Sequence, residues 1–262
     1  MIGIVINPTK PGAPALRDQL LEAMAARGME TAEFSSAAEV ADYGAPLSCL
    51  IVVGGDGSIL RFAEVASKKD IPLLGINVGR IGFLAEISGA QIEMALSRLQ
   101  NGSYTLESRM MLACSVNGGA PWHCLNDIVV FKRSFSGVTQ IRVAVDGQSL
   151  GSVFYDGMIA ATPTGSTAYS LSAGGPVLMP SMDAIAITPV CSHTLHVLPT
   201  VAGADSVVEF RLEAEGMVSV DGMRVGNVAA GDTVRVARSA RRTRFIRFSD
   251  VDVFRLILAK LN

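Results

Sequence analysis

Hydrophobic positions along the chain follow two regimes. In the first hundred residues, short β-branched runs alternate with helical stripes. Ile2 to Ile6 reads as a strand, ended by Asn7-Pro8-Thr9. Leu16, Leu20, Leu21 and Met24 share one helical face, and Gly28 can end that helix. Leu50 to Val53 is an uninterrupted apolar run, the signature of a parallel strand buried on both faces. Ile59, Phe62, Ala63 and Ala66 then mark a helix, with Ser58 as its expected cap. Ile71 to Ile76 predicts a third strand. Ile92, Leu96 and Leu99 predict a further helix, closed by Asn101-Gly102. Such alternation predicts a parallel sheet with crossover helices.

Near residue 103 the helical period fades and short strands with turn signals take over. Val143 to Val145, Asp146-Gly147 and Ser149 to Val153 form a predicted hairpin. Met217 to Val220, Asp221-Gly222 and Arg224 to Val228 form another. Val207 to Leu212 and Thr233 to Ala237 are further strand candidates. This predicts an α/β domain over 1–103 and an antiparallel domain over 104–245. A segment over 246–262 turns helical again, with Val253, Leu256, Ile257 and Leu261 on one side, and is expected to return to the first domain.

Composition narrows the class. The 262 residues are 49% hydrophobic, enough for a sizeable core, and carry a formal charge of −2. That balance argues against a nucleic-acid partner. No apolar run reaches the roughly 20 residues of a membrane span, and Met1 to Ile6 has no basic leader, so a cytoplasmic protein is expected. Cysteines 49, 114, 124 and 191 form no Cys-x-x-Cys pair, so no zinc site and no protein-held metal is assigned; Cys49 reads as a buried small hydrophobe.

The chemistry centres on Gly54-Gly55-Asp56-Gly57, where the second strand meets its helix. Glycines leave no Cβ, so a phosphate can approach the backbone N–H groups. A helix N-terminus beside them favours an anion. Asp56 is then a carboxylate at the carboxyl end of a sheet, where open α/β folds bind ligands. The same four residues also make an ordinary tight turn. The lysine of the P-loop is missing, since Arg61-Phe62 stands in its place, and Leu60 breaks the Gly-x-Gly-x-x-Gly spacing.

A second dense stretch runs from Asp156 to Pro176. A strand enters a Pro/Gly turn rich in hydroxyls, then a short helix and a Gly-Gly-Pro stop. Hydroxyls and backbone donors there suit a phosphate or a ribose; the alternative is that they bond their own backbone. Read alone, Asp156-Gly157 is a third hairpin turn, and Asn126-Asp127 is the polar start of a strand.

These motifs, in this order, resemble the bacterial NAD kinases: Gly54-Gly55-Asp56-Gly57, Leu125-Asn126-Asp127, and Asp156 to Pro176 with its core from Thr162 to Tyr169. Asn77-Val78-Gly79 and Gly82-Phe83-Leu84 also resemble the family's loop after its third strand. The resemblance spans most of the chain, although Gly-Gly-Asp-Gly alone is shared with phosphofructokinases and lipid kinases. It implies an α/β nucleotide-binding domain with a parallel Rossmann-like sheet and a β-sandwich-like NAD-binding domain, the active site lying between them. It implies transfer of the γ-phosphoryl of ATP to the 2′-hydroxyl of the adenosine ribose of NAD, with Mg²⁺ or another divalent cation accompanying ATP. It also implies a homodimer or homotetramer.

By this resemblance Asp56 accepts the ribose proton; holding the magnesium ion is its alternative role. Gly54, Gly55 and Gly57 supply donors to phosphate, and Arg61 lies near the substrate or is a simple surface charge. Asn126 faces the adenine edge and Asp127 the ribose hydroxyls. Asp156 contacts the nicotinamide end or a neighbouring subunit's substrate. Thr167, Ala168, Tyr169, Ser170, Leu171 and Ser172 match the run that holds the adenosine portion, and Phe83 closes over the adenine. For Tyr169 and Phe83 the plain alternative is core packing.

Some positions depart from the family pattern. Ser58 replaces a common threonine, and Asp127 is one methylene shorter than the usual glutamate. Phe154 stands where some members carry a polar residue bearing on NADH use. Met223 is given no ligand role, and His193 and His196 lie in no matched motif. Competing readings are a sugar-phosphate or lipid kinase and a nucleotide sensor without turnover. A serine hydrolase ranks last, because Ser166 lacks a Gly-x-Ser-x-Gly elbow.

Overall fold

A computed structural model of the chain describes residues 1–79, 82–133, 139–191, 198–249, 254, 256 and 257. The chain divides into two compact units, 1–108 with 243–262, and 109–242. The hydrophobic pattern changes at 103/104 and 245/246 instead. Each division falls inside one long strand, Thr105–Val116 or Thr233–Arg247, where a strand pattern leaves no mark of a boundary.

The first unit runs β1 (Ile2–Ile6), α1 (Ala13–Ala25), β2 (Thr31–Phe34), α2 (Ala37–Asp42), β3 (Cys49–Gly54), α3 (Asp56–Lys69), β4 (Leu73–Asn77), β5 (Ile87–Ser88) and α4 (Ile92–Gln100). Strands pair in parallel in the order β2-β1-β3-β4. Phe245, in the returning segment, adds a parallel partner to Leu73. Alternation along the strands separates two apolar faces. Ile4, Ile51, Val53 and Ile76 pack with Leu20 and Met24 of α1 and Leu96 of α4. On the other face Gly75 lacks a side chain because Ile59 of α3 occupies that space. Helices α1 and α3 therefore cover opposite faces.

That arrangement creates a switch point. From β1 the chain turns through α1 to β2; from the adjacent β3 it turns through α3 to β4, in the opposite direction. The connections that leave the carboxyl ends of β1 and β3 run in opposite directions there, the kind of place at which open α/β sheets bind ligands.

Three elements of the first unit were not anticipated, the two-residue β5 and two others. Strand β2 is short and mostly half-exposed, and α2 buries only Val40, so neither carries a periodic signal. The expected cap is corrected: α3 begins at Asp56 with Gly55 as N-cap, and no side chain caps it. Ser58 lies inside the first turn, and its hydroxyl accepts from Asn7 Nδ2 at 3.1 Å. Of the predicted C-terminal helix, Leu256 and Ile257 are helical, while Val253 and Leu261 lie outside the described residues.

The second unit contains β6 (Thr105–Val116), β7 (Trp122–Cys124), β8 (Asp127–Lys132), β9 (Thr139–Val145), β10 (Gln148–Tyr155), β11 (Gly157–Ala161), α5 (Tyr169–Ser172), β12 (Ala184–Val190), β13 (Thr200–Gly203), β14 (Val208–Leu212), β15 (Gly216–Val220), β16 (Met223–Val228) and β17 (Thr233–Arg247). One sheet orders β10-β9-β14-β17; the other orders β13-β12-β11-β8-β15-β16. Pairing within each is antiparallel. Val143, Phe210 and Val236 from the first sheet share one core with Val130, Ala160, Ile185 and Val218 from the second. Both predicted hairpins form, as β9-β10 and β15-β16. Asp156-Gly157 is not a hairpin turn. Strand β10 pairs in one sheet and β11 in the other, so Asp156 is the residue at which the chain changes sheets.

Candidate active site

The candidate residues of the first unit, Gly54 to Gly57 and Phe83, stand around the switch point. Asp56 is the first residue of α3. Its carboxylate accepts from the backbone N–H of Phe83 at 2.9 Å and of Leu84 at 3.1 Å. A Cβ on Gly82 would collide with that carboxylate, so glycine there is what lets the loop close around it. Asp56 is thus a fixed acceptor whose two oxygens are held by the loop after β4.

The glycines have distinct tasks. A Cβ on Gly54 would strike the Ser58 hydroxyl, so Gly54 permits the tight strand-to-helix turn. Gly57 has no described atom within 4 Å of where a Cβ would stand. Glycine in a helix costs roughly 1 kcal/mol against alanine, and the open space beside Gly57 gives that cost a purpose if a ligand enters it. No side chain caps α3, and although the Ser58 N–H donates to Gly55 O at 2.8 Å, the helix start still favours an anion. Arg61 is exposed one turn on, and Phe83 is half-buried. Arg80 and Ile81, within the same loop, lie outside the described residues.

In the second unit the central device is Asp221, which turn chemistry alone did not single out. It has φ +49° at the β15-β16 turn. Its carboxylate accepts from the N–H groups of Leu125 at 2.8 Å, Asn126 at 2.7 Å and Asp127 at 3.2 Å. Thr162 fixes the same segment from the other side: its hydroxyl donates to Leu125 O at 2.5 Å, and its N–H donates to Asn126 O at 2.8 Å. Gly165 packs so close to the Asn126 backbone that a Cβ would not fit. The Asn126 peptide is therefore rigidly placed. Its side-chain Oδ1 is buried and has no hydrogen-bond partner among the described residues.

Asp127 is only 5% exposed. Burial, with the Asp221 carboxylate beside it, pushes its carboxyl up to about 7. Asp156 pairs with Lys132, Oδ1 to Nζ 2.5 Å, a partner the sequence did not point to.

The hydroxyl-rich run divides by role. Ser166 donates to Pro163 O at 2.7 Å and accepts from Leu178 N–H at 2.9 Å, and Thr167 donates to Thr164 O. Ser170 is fully buried and shares a hydrogen bond with Thr188 at 2.8 Å, so its hydroxyl is committed to the fold. Ala168 and Leu171 are half-buried, and Ser172 is exposed. Tyr169 is 38% exposed, its ring 6.1 Å from that of Phe131. Phe154 and Met223 are exposed. His193 and His196 lie outside the described residues.

Among the described residues no group of three or more His, Cys, Asp and Glu side chains stands close enough to hold a metal ion. No described helix is long and apolar enough to cross a membrane.

Comparisons with known proteins agree with this arrangement of motifs. Residues 37–104 match the model of the ATP-NAD kinase N-terminal domain, and residues 125–248 that of the ATP-NAD kinase C-terminal domain. A NAD kinase of Gemmatimonas aurantiaca is 36% identical over 275 aligned positions, covering 100% of this chain and 95% of that protein. One from Geotalea daltonii is 33% identical, covering 100% and 98%. Among solved structures, an NAD kinase from Archaeoglobus fulgidus in complex with ATP superposes with a TM-score of 0.81 at 25% identity, covering 100% of this chain and 98% of that one. Yeast NADH kinase complexed with NADH superposes at 0.88 with 21% identity, covering 99% and 86%, a likeness of fold.

Proposed function

The chain belongs to the NAD kinase family of enzymes, and we propose that it moves the γ-phosphoryl of ATP onto the 2′-hydroxyl of the adenosine ribose of NAD. In that step the ribose oxygen bonds to the γ-phosphorus, the bond from that phosphorus to the β,γ-bridging oxygen breaks, and ADP leaves. Asp56 takes the ribose proton. A hydroxyl is a poor nucleophile until its proton is accepted in the transition state.

The observation that carries this reading is the Asp56 carboxylate, pinned by the Phe83 and Leu84 amides at the uncapped start of α3. A proton acceptor must be held within hydrogen-bond reach of its target, and two backbone bonds fix one better than a free rotamer does. The glycine loop beside it offers N–H groups to the charge spread over the transferred phosphoryl. In the second unit, Asn126 would read the adenine edge through its unpartnered oxygen, and Asp127 would meet the ribose hydroxyls. Phe83, Thr167, Ala168, Tyr169, Leu171 and Ser172 would line the adenosine, and Asp156 the nicotinamide end. Ser170 would serve from the interior, by holding α5 to β12.

A divalent cation carried by the nucleotide would meet the carboxylate of Asp56, the first residue of α3 beside Gly55. Such a cation would neutralise phosphate charge. ATP as donor is supported by the similar Archaeoglobus fulgidus chain, solved with ATP.

The test is incubation of the purified protein with Mg²⁺, ATP and NAD, reading NADP formation, with NADH, fructose 6-phosphate and diacylglycerol as parallel acceptors. NADP from NAD alone, or NAD well above the others, is the expected result. Turnover of the sugar phosphate or lipid without NADP would replace the proposal. Light scattering on the same preparation reads self-association, for which a dimer or tetramer is expected.

A further inference from the structure

Lys10 lies in the loop after β1, against Gly55 at the start of α3, and no motif of the chain assigns it a task. Its ammonium lies 2.5 Å from the point where a Cβ on Gly55 would stand, and its Cε lies 3.5 Å from that point. No other described atom comes within 4 Å of that position. Gly55 has φ −121°, ordinary extended backbone that any residue adopts. Its lack of a side chain therefore serves space, and the space is shared with the Lys10 ammonium.

The lysine is delivered by a stiff loop. Asn7 accepts from the Thr9 N–H at 3.2 Å and the Thr9 hydroxyl at 2.7 Å. Its own N–H donates to Val53 O at 3.0 Å, tying the loop to β3. Asn7 O accepts from Lys10 N–H at 3.2 Å, and Lys10 O from Ala13 N–H at 3.1 Å. Pro8 and Pro11 flank the segment and restrict its backbone.

The electrostatics are unfavourable as they stand. A helix start carries a partial positive charge, and here a full positive charge is set against it. Asp56 does not answer it, because its oxygens face the Phe83 and Leu84 amides. Lys10 forms no ion pair with any described residue. A cation beside a helix start that no side chain caps makes a favourable set once a polyanion bridges them.

We propose that Lys10 binds the phosphate chain of the donor nucleotide, laid across Gly55 at the start of α3. This supplies at a distance in sequence the point charge that a P-loop lysine supplies from within its own motif. It rests on the proposed phosphoryl transfer for the identity of the donor, but its own basis is the Lys10–Gly55 geometry.

The full chain would be compared with Lys10→Met and Lys10→Arg. Binding of the magnesium complex of a non-hydrolysable ATP analogue and binding of NAD would be read separately by calorimetry, beside steady-state kinetics and thermal unfolding. Lys10 is partly exposed, so both variants are expected to fold with unchanged midpoints. Lys10→Met is expected to weaken the analogue and raise KM for ATP by about 10-fold or more. The Kd for NAD should stay within about 2-fold, with most of the loss restored by arginine. A folded Lys10→Met protein with unchanged analogue Kd and ATP KM overturns the proposal. So does an equal loss of NAD binding, which marks a general disturbance of the loop. If the parent chain makes no NADP yet binds the analogue in a Lys10-dependent way, the acceptor reading fails and Lys10 stands. If the parent chain binds no analogue, both fail.

Discussion

The carboxylate of Asp56 and the missing side chain of Gly82 compete for the same volume: a Cβ at residue 82 would stand 2.0 Å from Asp56 Oδ1, far inside contact distance. The two residues are 26 positions apart, and each explains the other. Gly82→Ala is expected to keep the fold, since the clash is confined to the end of the Asp56 side chain, while pushing Asp56 off its two amide donors. A displacement of about 1 Å at a reacting group costs on the order of 10²-fold in rate. NADP formation by Gly82→Ala should therefore fall by about that factor, with NAD affinity changed far less. Parent-level turnover in this variant would show that the Phe83–Leu84 clamp has no catalytic consequence.

Asp56→Asn tests the acceptor itself. Asparagine retains one oxygen for an amide donor and sets an NH₂ against the other, and it cannot take a proton. A loss of at least ~10²-fold in kcat is expected, the usual scale of general base catalysis. NAD affinity should change little. Near-normal kcat in Asp56→Asn would remove the assigned role.

Asn126→Ala separates the two substrates. The Asn126 backbone is held by Asp221 and Thr162, so truncating the side chain leaves the peptide in place. Only the unpartnered oxygen and its amide are lost. A bidentate contact to an adenine edge is worth about 1–3 kcal/mol, so Kd for NAD should rise about 5- to 160-fold while KM for ATP moves little. Equal effects on both would count against adenine recognition here.

What was legible in the sequence follows from the range over which each signal acts. Strands β1, β3 and β4, helices α1, α3 and α4, and both Asp-Gly hairpins carry periodicity or turn chemistry within a dozen residues, and all of them form. The Asp56 motif was visible as a glycine-flanked carboxylate between strand and helix, whereas Asn126 was singled out only by the family resemblance, since read alone it is the polar start of a strand. Partners brought by topology were not visible. Asp221 sits 95 residues from the Asn126 N–H it holds, and as a sequence it is only the first half of a turn. Ser58 reads as a cap because serine before an apolar stripe usually is one; here Gly55 takes that place and the Ser58 hydroxyl meets Asn7 across the switch point. Asp156-Gly157 has the composition of a hairpin turn. Only the pairing of β10 and β11 in different sheets shows a chain changing layers.

Asp127 supplies a prediction in pH. Its carboxyl is raised from 3.8 to about 7, first by burial and then by the Asp221 carboxylate. Between those two values the folded chain holds a proton that the unfolded chain has released. Stability from this group is then complete below about pH 4 and lost as pH rises through about 7. At pH 8.5 the folded state bears a buried charge with a penalty on the order of a few kcal/mol. Asp127→Asn keeps the polar shape without the charge. It is expected to be more stable than the parent by about 1–3 kcal/mol at pH 8.5 and equal to it near pH 4, as read by urea unfolding across the range. A stability difference independent of pH would mean that Asp127 does not titrate in this window. The same carboxyl carries a functional consequence. Ribose hydroxyls donating to its ionised form would lower its pKa, so NAD binding near pH 7 should release a fraction of a proton. Calorimetry in buffers of different ionisation enthalpy detects that release directly. Asp127→Asn should abolish it; a proton release that survives the substitution would belong to another group.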